Sequence, residues 1–192
     1  MWRQMAIAFR VLLFMTVLTG LIYPGVVTAL CQALFPRKAN GSLVRINGTV
    51  VGSSLIGQNF TKPQYFQPRP SAAGNGYDAS LSSGSNYGPT NQKLIDRVKA
   101  SIADFRKQNP DYRGPIPADL VTASASGLDP DISLASAEAQ AARVAASRNV
   151  SVGQVRRLIE QHTEKRKLGF LGAPRVNVLE INLALDQEFP RR

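Results

Sequence analysis

The sequence predicts an α+β chain: one N-terminal transmembrane helix, then a single soluble domain with a small sheet and about three or more helices. Three observations predict it. Residues Val11 to Phe35 carry no charge. Beyond them, segments of strand-like and helix-like apolar periodicity follow one another with no internal repeat. The 192 residues suit one domain plus an anchor.

Residues 1–10 form a short tail with Arg3 and Arg10. The uncharged stretch 11–35 is roughly 37 Å long as a helix, more than the hydrocarbon core of a bilayer needs. Lipid offers no partners to peptide groups, so this segment must be helical. Pro24 predicts a kink near Gly20. The competing reading is a signal peptide cleaved after Val27-Thr28-Ala29. The apolar run continues through Leu30, Ala33, Leu34 and Phe35, which is long for such a peptide. Flanking charge is nearly balanced, with Arg3, Arg10 and the α-amino group before the span and Arg37 and Lys38 after it. A short tail before a long domain favours a cytoplasmic N-terminus and a translocated domain.

The soluble domain occupies residues 38–192. Leu43–Ile46 and Thr49–Leu55 read as a hairpin around Asn47-Gly48, which tolerates the positive φ angles of a type I′ turn. Residues 62–89 are rich in Pro, Gly, Ser, Asn and aromatic residues and read as a long loop, either functional or plugged onto the core by its Tyr and Phe side chains. Thr90 is placed to cap a helix reaching Gln108, with Leu94, Val98, Ile102 and Phe105 on one face. Leu120–Ala125 reads as a short strand, and Asp129-Pro130-Asp131 as a turn that caps the next helix. Ser133 or Ser136 opens an alanine-rich helix that Asn149 stops. Ser151 opens another, to about Lys167. Residues 176–185 fit both strand and helix periodicity.

Composition narrows the chemistry. The formal net charge is +10, and no acidic residue precedes Asp78. The cations are scattered, and no nucleic-acid-binding signature accompanies them, so nucleic acid is not an expected partner. No phosphate-binding GxxxxGK[ST] loop, metal-spaced Cys/His cluster or GxSxG elbow occurs. Cys31 and His162 are each the sole residue of their type. Neither a catalytic residue nor a metal site is expected.

Val150-Ser151-Val152-Gly153-Gln154 resembles the LSGGQ signature of ABC transporter ATPases, which places a helix N-terminus on nucleotide phosphate. The same residues also spell a capping box, Ser151-x-x-Gln154.

A broader resemblance covers nearly the whole chain. Its residues are the span, Gly57-Gln58, Phe60 and Tyr65-Phe66-Gln67-Pro68-Arg69-Pro70-Ser71-Ala72. They continue with Ser85-Asn86-Tyr87-Gly88-Pro89-Thr90-Asn91, the run Pro117 to Ser124, and Ser126-Gly127-Leu128-Asp129-Pro130. Arg143-Val144-Ala145 and the run Pro174 to Asp186 complete it. In these residues the chain resembles the C subunit (KdpC) of the Kdp potassium-transporting ATPases. Asp131 departs from the pattern, in which histidine is common. The resemblance implies an accessory subunit without catalysis of its own in an ATP-driven, high-affinity potassium importer of the bacterial inner membrane. Its implied partners are a potassium-binding A subunit, an ATP-hydrolysing P-type B subunit, a small F subunit and membrane lipid. It also implies help with assembly and a catalytic-chaperone role that raises the B subunit's affinity for ATP. Nucleotide contact would then carry onto Ser151, Gly153 and Gln154. No tightly bound cofactor is implied, and ATP is the nucleotide the resemblance implies. The alternative, from the span and domain alone, is an exported solute-binding or wall-associated domain unrelated to a pump.

Overall fold

The computed structural model describes residues 1–190. The chain divides into two compact units, Met1–Val51 and the remainder from Gly52 onward.

The first unit opens with one helical rod, Trp2–Leu34, long and apolar enough to cross a membrane and with none of its most apolar window buried. It consists of α1 (Trp2–Val17), a π-helical turn (Leu18–Ile22) and α2 (Tyr23–Leu34). The π turn sits where Pro24 was expected to disturb the helix. Proline has no N–H for the Gly20 carbonyl, and its ring collides with that carbonyl in a regular α-helix. The chain widens by one residue instead, and the Tyr23 N–H bonds Leu18 O, five residues back. The Thr19 hydroxyl donates to Met15 O at 2.7 Å. A short helix α3 (Pro36–Ala39) follows, then the hairpin of β1 (Leu43–Ile46) and β2 (Thr49–Ser53). Asn47 and Gly48 hold φ of 49° and 81°, as a type I′ turn requires.

In the second unit, α4 (Gln92–Gln108) is capped by Asn91, one residue after the expected Thr90, through its side chain and the Lys93 N–H. A 3-10 turn (Ala118–Leu120) stands near the expected strand at 120–125, and no strand forms there. Three short strands then make an antiparallel sheet in the order β3 (Asp131–Ser133), β5 (Arg175–Asn177), β4 (Thr163–Glu164). In its register Ile132 faces Val176, and Val176 faces Thr163.

Three helices carry the core. They are α5 (Leu134–Arg148), α6 (Val152–Gln161) and α7 (Val178–Glu188). Ala137, Ala141, Val144 and Ala145 of α5 meet Val155, Leu158 and Ile159 of α6. Val178, Ile181 and Leu185 of α7, with Ile132, Val176 and Phe66, complete one apolar cluster. Small residues on α5 let its neighbours approach closely. Asn149, at φ 56°, ψ 41°, ends α5 in the left-handed conformation expected of a stop.

Two other expectations are revised. The helix from Ser151 ends at Gln161, not near Lys167, and residues 163–175 form a hairpin-like excursion that joins β4 to β5. The ambiguous segment 176–185 is both structures in turn: β5 runs directly into α7, with Asn177 closing the strand and capping the helix.

Candidate functional site

The signature-like residues sit at the start of α6. Ser151 is its N-cap, in extended conformation. Its hydroxyl oxygen accepts from the Gln154 N–H at 3.2 Å, and Gln154 Oε1 accepts from the Ser151 N–H at 3.0 Å. The Ser151 hydroxyl also donates to Gln154 Oε1 at 2.9 Å. The capping box is therefore closed, and these four groups satisfy one another. Gly153 is different. A Cβ placed there would meet only Ser151 Oγ, at 4.0 Å, so packing does not demand glycine. The exposed surface over Gly153 is open to approach.

The long loop proves to be a clamped segment of the core. Phe66 is fully buried. Its N–H donates to Asn182 Oδ1 at 2.8 Å, and Asn182 Nδ2 donates to Phe66 O at 2.9 Å. The next residue repeats the pattern: the Gln67 N–H donates to Gln140 Oε1 at 2.8 Å, and Gln140 Nε2 donates to Gln67 O at 3.1 Å. Two buried amide side chains thus stand in for a neighbouring strand.

Two arginines hold the flanks. Arg143 donates to Pro63 O, to Tyr65 O at 3.1 Å, to Gln140 Oε1 at 2.7 Å and to Asn109 Oδ1 at 3.0 Å. None of these partners is a carboxylate, and burial lowers the guanidinium's pKa to about 10, still far above neutrality. Arg148 donates to Gln64 O, Leu185 O and Phe189 O and pairs with Asp186 at 2.7 Å. Tyr65 stacks below that guanidinium, 5.1 Å from ring centroid to Cζ, and its hydroxyl donates to Asp186 at 2.8 Å. Burial, then the bond to Asp186, raises the Tyr65 pKa.

Beyond Pro70 the chain is pinned again. The Ser71 hydroxyl donates to Gly127 O at 2.6 Å and accepts from the Tyr77 N–H at 2.8 Å. Gly127 has φ of 68°, and a Cβ there would lie 2.5 Å from Ser83 O, so only glycine fits. Arg69 pairs with Asp129 at 2.8 Å, and the Tyr77 hydroxyl donates to Arg69 O. Burial, chiefly, raises the Tyr77 pKa well above its usual value.

The Asp129-Pro130-Asp131 turn does not cap α5 as expected. Ser133 does, its hydroxyl oxygen accepting from the Ser136 N–H at 3.1 Å, and Asp119 braces that cap, accepting from the Ser133 N–H at 2.8 Å and from the Ser136 hydroxyl at 2.6 Å. Asp129 Oδ1 instead accepts from the Asp131 N–H, and Asp131 pairs with Arg175 at 2.9 Å. Burial raises the Asp131 carboxyl above its usual value, against the opposing Arg175 charge. Among the described residues, no three His, Cys, Asp or Glu side chains converge as a metal site would require. His162 follows α6, with Nδ1 3.0 Å from Leu158 O.

The clamped loop also lines a cavity of about 390 Å³, whose lining includes Gln67, Arg69, Ser71 and Tyr77 with Asp104, Gln108 and Gln140. Arg69 Nε is buried there without a hydrogen-bond partner. The motif residues therefore hold the loop in place, and they are not brought together with Ser151, Gly153 and Gln154.

Residues 5–187 match the family model described as KdpC, the c chain of the K+-transporting ATPase. The chain belongs to the KdpC family. A relative from Koribacter versatilis, named potassium-transporting ATPase KdpC subunit, is 57% identical over 91% of this chain and 90% of its own. A relative of the same name from Rhodospirillum rubrum is 57% identical over 92% of this chain and 91% of its own. Another from Mycobacterium tuberculosis is 53% identical over 97% of this chain and its own full length. KdpC membership thus takes in both the apolar rod and the domain. No comparison supports the alternative of an exported solute-binding or wall-associated domain.

Proposed function

We propose that this KdpC-family chain is an accessory subunit of a bacterial potassium-transporting ATPase, carrying out no catalysis itself. The observation that carries this reading is the family match from residue 5 to residue 187, through span and domain alike. The relatives are named as subunits of such an ATPase. The proposed partners are a potassium-binding A subunit, an ATP-hydrolysing B subunit, a small F subunit and membrane lipid. The proposed location is the inner membrane, with the N-terminus cytoplasmic and the domain extracytoplasmic. The proposed role is to aid assembly and to raise the B subunit's affinity for ATP. With ATP inside and the domain outside, that effect passes through the assembly.

A second reading places Ser151, Gly153 and Gln154 directly on nucleotide. The open surface over Gly153 favours it; the closed capping box opposes it. It requires the domain to face the cytoplasm.

Accessibility labelling tests the two together. In a Cys31→Ser background, Gly88→Cys places a thiol at an exposed position with open space around it. An impermeant maleimide should label it in sealed cells. Labelling only after lysis overturns the extracytoplasmic placement. Deleting residues 1–36 should release the chain from membranes and abolish potassium-stimulated ATP hydrolysis by the assembly; unchanged hydrolysis overturns the subunit role.

A further inference from the structure

The excursion between β4 and β5 ends in an apolar tip that nothing in its own domain covers. Lys167 and Leu171 pair through reciprocal backbone bonds, each of 2.9 Å, and Leu168, Gly169 and Phe170 close the turn. Leu168 is 82% exposed, Phe170 69% and Leu171 50%. Leu168 and Phe170 are the most exposed large apolar side chains described in the second unit. The other exposed ones, such as Leu55, Leu81 and Leu134, are scattered along the chain, as on any soluble surface.

Local folding does not account for the tip. Leu168 adopts φ of 54°, a conformation that asparagine or glycine takes at lower cost. A leucine held there and left in water gains no burial in return. The tip is also framed by charge. Lys165, Arg166 and Lys167 precede it, all exposed, and none forms an ion pair among the described residues. The nearest carboxylate in sequence, Glu164, is taken by Arg175 at 2.7 Å.

We infer that the Lys165–Leu171 turn is a lipid-contact loop, which seats Leu168 and Phe170 in an anionic bilayer surface while Lys165, Arg166 and Lys167 meet headgroup phosphates. An apolar point with a basic collar matches that interface, where acyl chains take the side chains and lipid phosphates take the cations. The same chain carries the span, and only residues 35–51 separate it in sequence from the second unit. The inference rests on the membrane-anchored reading of Trp2–Leu34.

The full chain can be tested in vesicles. Trp2 is the sole tryptophan, so Phe170→Trp in a Trp2→Phe background reports on the tip alone. Flotation with the vesicles reads insertion of the span, independently of the tip. In phosphatidylcholine–phosphatidylglycerol vesicles with brominated acyl chains, we expect blue-shifted emission and about twofold quenching at position 170. The quenching should fall in phosphatidylcholine alone and in the Lys165→Gln/Arg166→Gln/Lys167→Gln variant. Floated protein with red, unquenched emission overturns the inference. So does emission that shifts only when the other pump subunits are present and ignores brominated lipid, which assigns the tip to a protein contact.

Discussion

Asn182 holds Phe66 by both of its backbone polar groups, accepting from its N–H at 2.8 Å and donating to its carbonyl at 2.9 Å, with both residues buried. The pair joins α7 to a loop residue far away in sequence. Asn182→Ala leaves a buried donor and a buried acceptor unpaired, at about 1–3 kcal/mol each. The melting temperature of the full chain should fall by roughly 4–20 °C. A shift under about 1 °C would show that the loop is held by other means.

Arg148 should resist conservative exchange. Its guanidinium reaches Gln64 O, Leu185 O, Phe189 O and Asp186 at once. A lysine ammonium cannot span that fan of acceptors. Arg148→Lys and Arg148→Met should both destabilise the domain by about 2–4 kcal/mol, because the carbonyls at the end of α7 lose their donors in each. Hydrogen exchange should rise first in the last turn of α7. If Arg148→Lys retains wild-type protection there, charge alone is what the site needs.

The start of α6 separates capping from nucleotide contact. Ser151→Ala should cost about 1 kcal/mol, and Ser151→Gly only a few tenths, because glycine leaves the uncapped N–H groups open to water. Both variants lack the hydroxyl. If that hydroxyl touches phosphate, both should raise the pump's KM for ATP alike, regardless of stability. Unchanged KM in both, with the graded stability loss, leaves the cap as its whole role. Gln154→Ala should behave as Ser151→Ala does under the same test.

Asp131 sets a pH dependence. Its carboxyl is held above the ordinary value of 3.8, mainly by burial, so the native state keeps the proton longer than the unfolded chain. From 3.8 up to that raised value the native state binds more protons, and this contribution to stability is lost as pH rises. Asp131→Asn removes it. The stability of the variant minus that of the wild type should therefore increase as pH rises from about 4 to about 7. A difference that is flat or falls over that range contradicts the assignment.

Much of this molecule was legible from local chemistry. Asn47-Gly48, Asn149 and Ser151-x-x-Gln154 each act within a few residues, and the structure shows the turn, the stop and the box they spell. The strand-or-helix ambiguity at 176–185 had a physical source. A three-residue strand that passes into a helix without a connecting residue leaves apolar positions fitting both periods. The overrun of α6 arose from Lys165, Arg166 and Lys167, good helix formers that here lead into a turn. Asn182, Gln140 and Arg148 carried no readable signal, since their partners lie far away in sequence and buried polar side chains look like surface ones in one dimension. The aromatic and proline-rich motif read as a loop either functional or plugged onto the core, and reciprocal hydrogen bonds at Phe66 and Gln67 hold it to the core.

The π turn at Leu18–Ile22 gives the rod a phase slip. One extra residue per turn offsets the lower half of the span by about 100° from where a continuous α-helix would carry it. Gly25, Ala29 and Ala33 line up with one another, but not with the stripe that their spacing would trace back through α1. Any helix that packs along the whole rod must therefore change the face it reads midway, or two neighbours must divide the two halves between them.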